Sequence, residues 1–479
     1  MPLSIGSLSN TRIGACRFKE LNGGFIVTNE VGEYVYLDKD SFQLFIKGIP
    51  DKRDPSQYLE LQQKGFLKEY PCAEELSRKF FQKNEFLFTG PSLHIVVLTL
   101  RCDHSCVYCQ SGAKGLSAPF LDMSVETAKK VVDTIFSTSS PSIMIEFQGG
   151  EPLANWEVLQ FVVKYARKKN ISAKKKIGFS LVTNLSLLSV ERMRFLLKNR
   201  VGICTSLDGP QNLHDKARIG RGGSSYRRAT QWIRRLQNEI KGRKGYALKI
   251  NALSTVTKYS IPYMKEIIDE YVRLDLDEIH LRPVMPFGID NRIWRRIKFK
   301  TDEFLRFYRS AIEYILILNK KGVSFSERTA KIFLTKILKL RDPNFLDIRS
   351  PCGAGIGQIA YNYDGGVFTC DEGRMLAVRG NMMFRLGDVW ANTYSELVNN
   401  EVVKSVCVAS CLDNLVRCSD CAYKPYCGVC PIYNYVTEGN IFSAYPANER
   451  CRMQMGILDI LFEFLRVPDI KKEFLKWMK

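Results

Sequence analysis

The sequence predicts an α/β protein: a partial (β/α)6 barrel, preceded by a small α+β module and followed by a cysteine-rich domain. Three observations predict it. Between residues 93 and 319, strand-like and helix-like runs alternate six times, the pattern of a parallel sheet with right-handed crossovers. The 479 residues, 45% of them apolar, suffice for about three domains of roughly 150 residues. The 15 cysteines are unevenly placed: three lie at Cys102, Cys106 and Cys109, and nine fall within residues 352–451.

Residues 1–90 read as a compact module. Strand patterns at 16–21, 24–28 and 33–37 include a turn-like Asn29-Glu30-Val31-Gly32, and helical segments at 38–46 and 55–64 precede Gly65-Phe66-Leu67. A unit this small suits binding rather than chemistry. Within residues 91–320, strands are expected at 93–100, 142–147, 177–182, 201–207, 246–255 and 278–283. The helices are expected at 125–136, 156–169, 189–198, 225–241, 261–274 and 302–319. In barrels of this kind the reactive residues come from the loops after the strands. Residues 321–350 read as a basic helical connector, and residues 351–452 lose long periodicity. That stretch has too few periodic apolar residues to build its own core, so bound metal is expected to organise it. An amphipathic helix in residues 453–479 closes the chain.

No apolar run approaches the roughly 18 to 20 residues that span a bilayer. The opening MPLSIGSLSNTR lacks the basic and apolar regions of an export signal, so a cytoplasmic location is expected. In a reducing compartment clustered thiols point to metal or catalysis before disulfides. Cys16, Cys72 and Cys204 stand alone and read as small core side chains. The formal charge of +20 suggests an acidic partner, nucleic acid or peptide.

Directly after the first barrel strand comes Arg101-Cys-Asp-His-Ser-Cys-Val-Tyr-Cys109, a C-x3-C-x2-C loop. Three thiolates at that spacing can wrap one cluster of iron and sulfide and leave the fourth iron without a protein ligand. The competing reading is zinc, with His104 as the fourth ligand of a closed site. The loop resembles the signature of the radical S-adenosylmethionine (SAM) family, and Tyr108 before the third cysteine fits it. That resemblance implies a TIM-like partial barrel of the radical SAM type. It also implies that the open iron chelates SAM, and that one electron cleaves the sulfonium to a 5′-deoxyadenosyl radical. Further matches fall where strands end. Gly149-Gly150-Glu151-Pro152 matches the family's GGEP motif, whose glycines permit close backbone approach and whose carboxylate receives the methionine ammonium. Thr183 and Asn184, then Ser206 and Asp208, resemble residues that hold ribose and carboxylate groups. His214, Asp215 and Arg218 follow as in the peptide-modifying branch, and Arg282 matches an adenosyl contact. Blander readings are a helix cap for Thr183-Asn184, a turn for Asp208 and a surface ion pair for Arg282.

The later cysteines, Cys352, Cys370, Cys418, Cys421, Cys427, Cys430 and Cys451, are similar to the SPASM extension of radical SAM enzymes. The resemblance implies two auxiliary four-iron clusters, making three [4Fe-4S] clusters in all. Cys352, Cys370 and Cys430 would hold the first, and Cys418, Cys421, Cys427 and Cys451 the second. The gap of two residues before Cys430, where the commonest pattern has three, is a departure that bears on the assignment of Cys427 and Cys430. No cysteine follows Cys352 closely, so the first cluster either keeps an open iron or recruits Cys411 or Cys407. Asp371 matches an aspartate that accepts a substrate proton in some relatives; its bland reading is a solvated turn carboxylate.

The N-terminal module resembles a winged-helix peptide-recognition element that binds a leader peptide along its sheet edge. With the Cys370–Arg374 run, it makes the chain most similar to the B-type radical SAM maturase of the His-Xaa-Ser system. The resemblance implies an oxidoreductase that cross-links a ribosomally made peptide. Its partners would be an acidic precursor peptide and reduced flavodoxin or ferredoxin, with neither membrane nor nucleic acid. Two alternatives stand beside it: a sulfatase-type maturase oxidising Cys or Ser in a protein, and a basic nucleic-acid-binding regulator.

Overall fold

The structure, a computed structural model, describes residues 12–49, 54–68, 73–241, 249–442 and 448–478. The N-terminal strands are β1 (Arg17–Leu21), β2 (Gly24–Thr28) and β3 (Tyr34–Asp38), an antiparallel sheet in the order β1-β2-β3. Helices Lys39–Ile46 and Pro55–Gln63 are capped by Asp38 and Asp54, each accepting backbone N–H bonds. Val27, Val35, Leu37, Phe42, Phe45, Leu61 and Phe66 form a separate small core there. The helix Ala73–Asn84 was not expected from the sequence; its mean hydropathy is low and Phe80 and Phe81 remain exposed, so no apolar stripe announces it.

The central strands are β4 (Leu93–Thr99), β5 (His104–Cys106), β6 (Ser142–Gly149), β7 (Lys176–Thr183), β8 (Val201–Ser206), β9 (Arg218–Gly220), β10 (Ile250–Val256), β11 (Glu278–Pro283) and β12 (Ser326–Glu327). From the cysteine-rich stretch come β13 (Gln358–Tyr361), β14 (Gly366–Phe368) and β15 (Arg385–Asp388). Among the described residues they build a ten-stranded sheet in the order β12-β11-β10-β8-β7-β6-β4-β13-β14-β15, with β5 and β9 pairing apart from it. Every contact from β12 to β13 is parallel, and β14 and β15 are antiparallel. The six expected strands and their helices are present. Part of the expected fifth strand, residues 246–248, lies outside the described residues.

Two differences matter for the site. The basic stretch after residue 320 contributes β12 and the helix Arg328–Leu338, which continue the alternation beside β11. The cysteine-rich stretch was expected to lack a core of its own, yet it has one: Leu376, Phe384, Val406 and Ile432 bury around Cys352, Cys370 and Cys430. These apolar residues come from separate short segments, so no run displays a period. No helix among the described residues is long and apolar enough to cross a membrane.

Candidate functional site

The C-x3-C-x2-C loop leaves β4 and is fastened on both sides. Arg101 pairs with Asp122 and donates to Ala154 O at 2.9 Å, and Cys102 N donates to Lys114 O at 2.7 Å. Further along, β5 pairs with β9, placing Cys106 opposite Arg218. The Arg218 Nη1 lies 3.8 Å from Cys106 Sγ. Burial raises the Cys102 thiol above its ordinary range and pushes Cys106 up to about 11. Thiols so placed need a cationic metal to deprotonate them.

Gly149 and Gly150 bring the end of β6 against this loop. Gly149 has φ +143°, and a Cβ there would overlap Thr99 O. A Cβ on Gly150 would overlap Arg101 O, one residue before Cys102. The backbone closes the contact: Gly150 N donates to Thr99 O at 2.8 Å and Glu151 N to Arg101 O at 2.7 Å. Gly150→Ala is therefore expected to destabilise the protein by about 1–3 kcal/mol, the range for overpacking, and to displace the cysteine loop. Iron bound per chain after anaerobic reconstitution, measured with the melting temperature, checks it.

Glu151 is fully buried, and its hydrogen bonds all come from neutral donors. Oε1 accepts from Leu153 N at 3.0 Å and Thr183 Oγ1 at 2.8 Å, and Oε2 accepts from Asn184 N at 2.9 Å. Burial pushes its carboxyl up to about 7 against these hydrogen bonds. Arg192 is close enough to feel the Glu151 charge but makes no ion pair with it among the described residues, and a buried carboxylate left unpaired at the rim of the cysteine loop fits an incoming ammonium. Asn184 ties the two features together: its Nδ2 donates to Asp103 Oδ1 at 3.0 Å and lies 3.8 Å from Cys102 Sγ. Thr183 and Asn184 do not cap the next helix, since Ser189 does. Pro152 opens a short 3-10 turn behind Glu151.

Ser206 ends β8, and Asp208 two residues on is buried and fully bonded. It accepts from Tyr108 Oη, from Arg218 Nε at 3.2 Å and from Thr255 N at 3.1 Å. Arg218 also lies over the Tyr108 ring at 5.3 Å. Tyr108, Asp208 and Arg218 thus form one buried network beneath Cys106. Its extension was not read from the sequence. Asp208 N donates to His214 Nδ1 at 3.3 Å, His214 Nε2 and Ser225 Oγ are 3.2 Å apart, Ser225 Oγ and His104 Nε2 are 2.6 Å apart, and His104 Nδ1 reaches Asp103 Oδ1 at 2.9 Å. The only sign was two histidines among four in the chain beside these motifs. Cys102, Asp103 and His104 are the group among the described residues close enough to share one ion, within 4.8 Å. Both His104 nitrogens already have partners, which speaks against a closed zinc site using that ring.

Arg282 forms an ion pair at 3.4 Å with Glu372, two residues past Cys370. Asp371 is buried and accepts from Arg374 Nε at 2.8 Å. Seven of the remaining cysteines fall into two sets. Cys418, Cys421, Cys427 and Cys451 line one pocket with Arg450 and Gln454. Cys430 also borders that pocket, but it is buried with Cys352 and Cys370 around Phe384 and Ile432; it raises the Cys352 thiol, and Cys430 and Cys352 both raise that of Cys370. Burial pushes Cys418 up to about 11 and Cys430 and Cys451 up to about 12. Cys407 and Cys411 make a pair of their own beside Arg349.

The N-terminal module docks on the four-cysteine set. Thr28 Oγ1 donates to Ala422 O at 2.7 Å, Tyr426 Oη donates to Gly32 O at 2.9 Å, and Arg17 binds Ser419 O.

The Radical SAM superfamily model matches residues 96–248. A cysteine-type anaerobic sulfatase-maturating enzyme of Clostridium novyi (strain NT) is 23% identical over 335 residues, 68% of this chain and 83% of that enzyme. A serine-type anaerobic sulfatase-maturating enzyme of Bacteroides thetaiotaomicron is 22% identical over 355 residues, 70% and 80% of the two chains. The structure of native anSMEcpe with bound AdoMet has a TM-score of 0.65 at 20% identity, covering 81% of this chain and 100% of that one. Streptococcus suis SuiB bound to precursor peptide SuiA gives 0.52 at 14% identity, covering 90% and 98%. The chain carries a radical SAM domain, and its α/β fold with a parallel-rich sheet is that of these structures.

Proposed function

We propose that the protein is a radical SAM maturase that cross-links a ribosomally made peptide with loss of two hydrogens. The observation that carries the reading is Glu151: a buried carboxylate with no ion pair among the described residues, one hydrogen-bonded residue from the three-thiol loop. Cys102, Cys106 and Cys109 would hold the SAM-binding cluster, Glu151 the methionine ammonium, and Asn184 the spacing between them. When bound, the cluster and SAM supply the 5′-deoxyadenosyl radical that abstracts a substrate hydrogen. Arg218 and Asp208 orient the loop through Tyr108 and shield Cys106 from water. Ser206 and Arg282 stand at the strand ends where ribose and adenine would lie, and Asp371, held by Arg374 on the helix Asp371–Ala377, would accept the substrate proton.

The two later thiol sets fit two auxiliary clusters, divided as Cys352, Cys370 and Cys430 against Cys418, Cys421, Cys427 and Cys451. A reconstituted chain should hold about twelve irons, four per cluster. Cys427→Ser and Cys430→Ser are each expected to lose about four, and their double variant about eight. A Cys418→Ser, Cys427→Ser double variant is expected to lose only about four, which iron quantification checks.

The leader peptide would dock on the module in residues 1–90, whose outer strands β1 and β3 each pair on one side among the described residues. Its seat on the Cys418–Cys427 loops would deliver the adjoining core peptide to the barrel mouth. The test is anaerobic incubation of reduced enzyme with SAM and the peptide encoded beside its gene. Loss of two hydrogens from the peptide supports the reading, and deoxyadenosine formed without any peptide mass change would sink it. The curated relatives favour a second reading, oxidation of Cys or Ser in a sulfatase-like protein. The full-length enzyme separates the two: oxidation of a leaderless peptide carrying a sulfatase-type Cys or Ser supports the second reading, and modification that requires the leader supports the first.

A further inference from the structure

Strand alternation gives the central sheet two unlike faces. Ile143, Ile145 and Phe147 of β6, with Phe179 and Leu181 of β7, point into the helix-packed core. The opposite face carries Met144, Glu146, Gln148, Ser180 and Cys204, and these residues stay partly accessible although their strands lie mid-sheet. The helix Asp371–Ala377 stands over it: Glu372 reaches Arg282 on β11, and Ala377 packs against the cluster of Ile95, Val97 and Phe368. Glu146 lies on this face, three residues before the Gly149 that ends β6.

The charges on this face are paired, with one exception. Asp371 has Arg374 at 2.8 Å, Glu372 has Arg282 at 3.4 Å, and Glu278 has Lys331 at 3.2 Å. Glu146 makes no ion pair among the described residues. It accepts from Gln148 Nε2 at 2.7 Å and neighbours Ser180 in the β6–β7 register, both neutral. Burial raises its carboxyl above the usual range and Asp371 adds to the effect, while the hydrogen bonds from Gln148 and Ser180 and the charge of Arg328 oppose it. Glu146 is half-buried, and Arg328, the cation acting on it, makes no ion pair with it among the described residues, so the carboxylate is drawn partly out of water without a bonded partner, which a neutral side chain of the same shape would avoid. The charge therefore has a use outside the fold of this chain.

We propose that Glu146 is a substrate-recognition residue that accepts the ammonium or guanidinium of a Lys or Arg side chain beside the residue being modified. The inference rests on the maturase reading and names its substrate class. A site with an unpaired buried carboxylate discriminates strongly, because a neutral side chain of equal length leaves that carboxylate desolvated and unmatched.

The experiment uses the reconstituted holoenzyme with SAM and two probes of nearly equal shape, Nα-acetyl-lysine amide and Nα-acetyl-norleucine amide. Dissociation constants come from saturation-transfer NMR. The wild-type protein is expected to bind the lysine probe at least about tenfold more tightly, and Glu146→Gln to bring the ratio near one. Deoxyadenosine formation without peptide should be the same in both proteins. Equal affinity for the probes in the wild type overturns the proposal whatever the variant does, and so does a preference that survives Glu146→Gln. A wild-type enzyme that makes no deoxyadenosine overturns the maturase reading and this inference with it. One that makes deoxyadenosine but binds both probes alike overturns this inference alone.

Discussion

Cys106→Ala is expected to abolish deoxyadenosine formation while leaving the chain folded. Cys106 lies on β5, whose pairing to β9 runs through backbone bonds, so truncating its side chain removes no strand contact. What it removes is one of three thiols in a loop with no nearby spare. Losing an outer partner of a metal ligand commonly costs 10- to 100-fold, and losing a ligand should exceed that. Reverse-phase detection of deoxyadenosine measures the loss, far-UV circular dichroism the retained fold, and iron quantification a deficit of about four irons. Cys16→Ala is the control: its side chain packs against the small core of the N-terminal module, and deoxyadenosine formation should persist. A Cys106→Ala enzyme that still cleaves SAM would remove the loop from the chemistry.

Glu151→Gln is expected to weaken SAM binding by roughly 30- to several thousand-fold, matching the 2–5 kcal/mol lost when one partner of a buried charge pair is removed. The substitution keeps the shape and most hydrogen bonds, so the change reads the charge. Its pH dependence has two opposite signs. The folded carboxyl sits at about 7 against an ordinary 4.5. Its contribution to stability is therefore complete below pH 4.5 and lost as pH rises through about 7, a change of about 3 kcal/mol at 1.36 kcal/mol per unit. SAM affinity runs the other way, since the ammonium needs the carboxylate, and should rise between about pH 6 and about pH 8. Calorimetric titration across that interval, on wild type and variant, checks both. A wild-type affinity flat with pH would remove Glu151 from the ammonium site.

The alternation in residues 93–319 was legible because each crossover is a local event, a strand and a helix of ordinary length with turn residues between them. Val125–Phe136 and Ser225–Lys241 run as the apolar spacing predicts. The cysteine loop was legible for the same reason, its three thiols lying within eight residues of sequence. Long-range pairings were not. Nothing in Gln358–Tyr361 announces that it pairs with Leu93–Val96, and nothing in Thr28 announces Ala422. The division of Cys427 from Cys430 stayed open on spacing alone, because only the folded path of residues 428–430 turns the Cys430 thiol toward Cys352 and Cys370 and leaves Cys427 with Cys418, Cys421 and Cys451. The Asp208-His214-Ser225-His104 chain escaped because each residue serves equally well as a turn former or a core polar group.

The seam between β4 and β13 has a consequence for biosynthesis. The strand that leads into the cysteine loop leaves the ribosome early, but its outer neighbour begins only at Gln358. At roughly 5–20 residues per second, that edge stands unpaired for tens of seconds. An unpaired parallel edge of Ile, Val and Leu invites pairing with another nascent chain. Soluble yield should accordingly respond to translation rate and to chaperones that shield nascent edges. Iron loaded before residue 358 has emerged would enter a loop whose supporting strand is still without its partner.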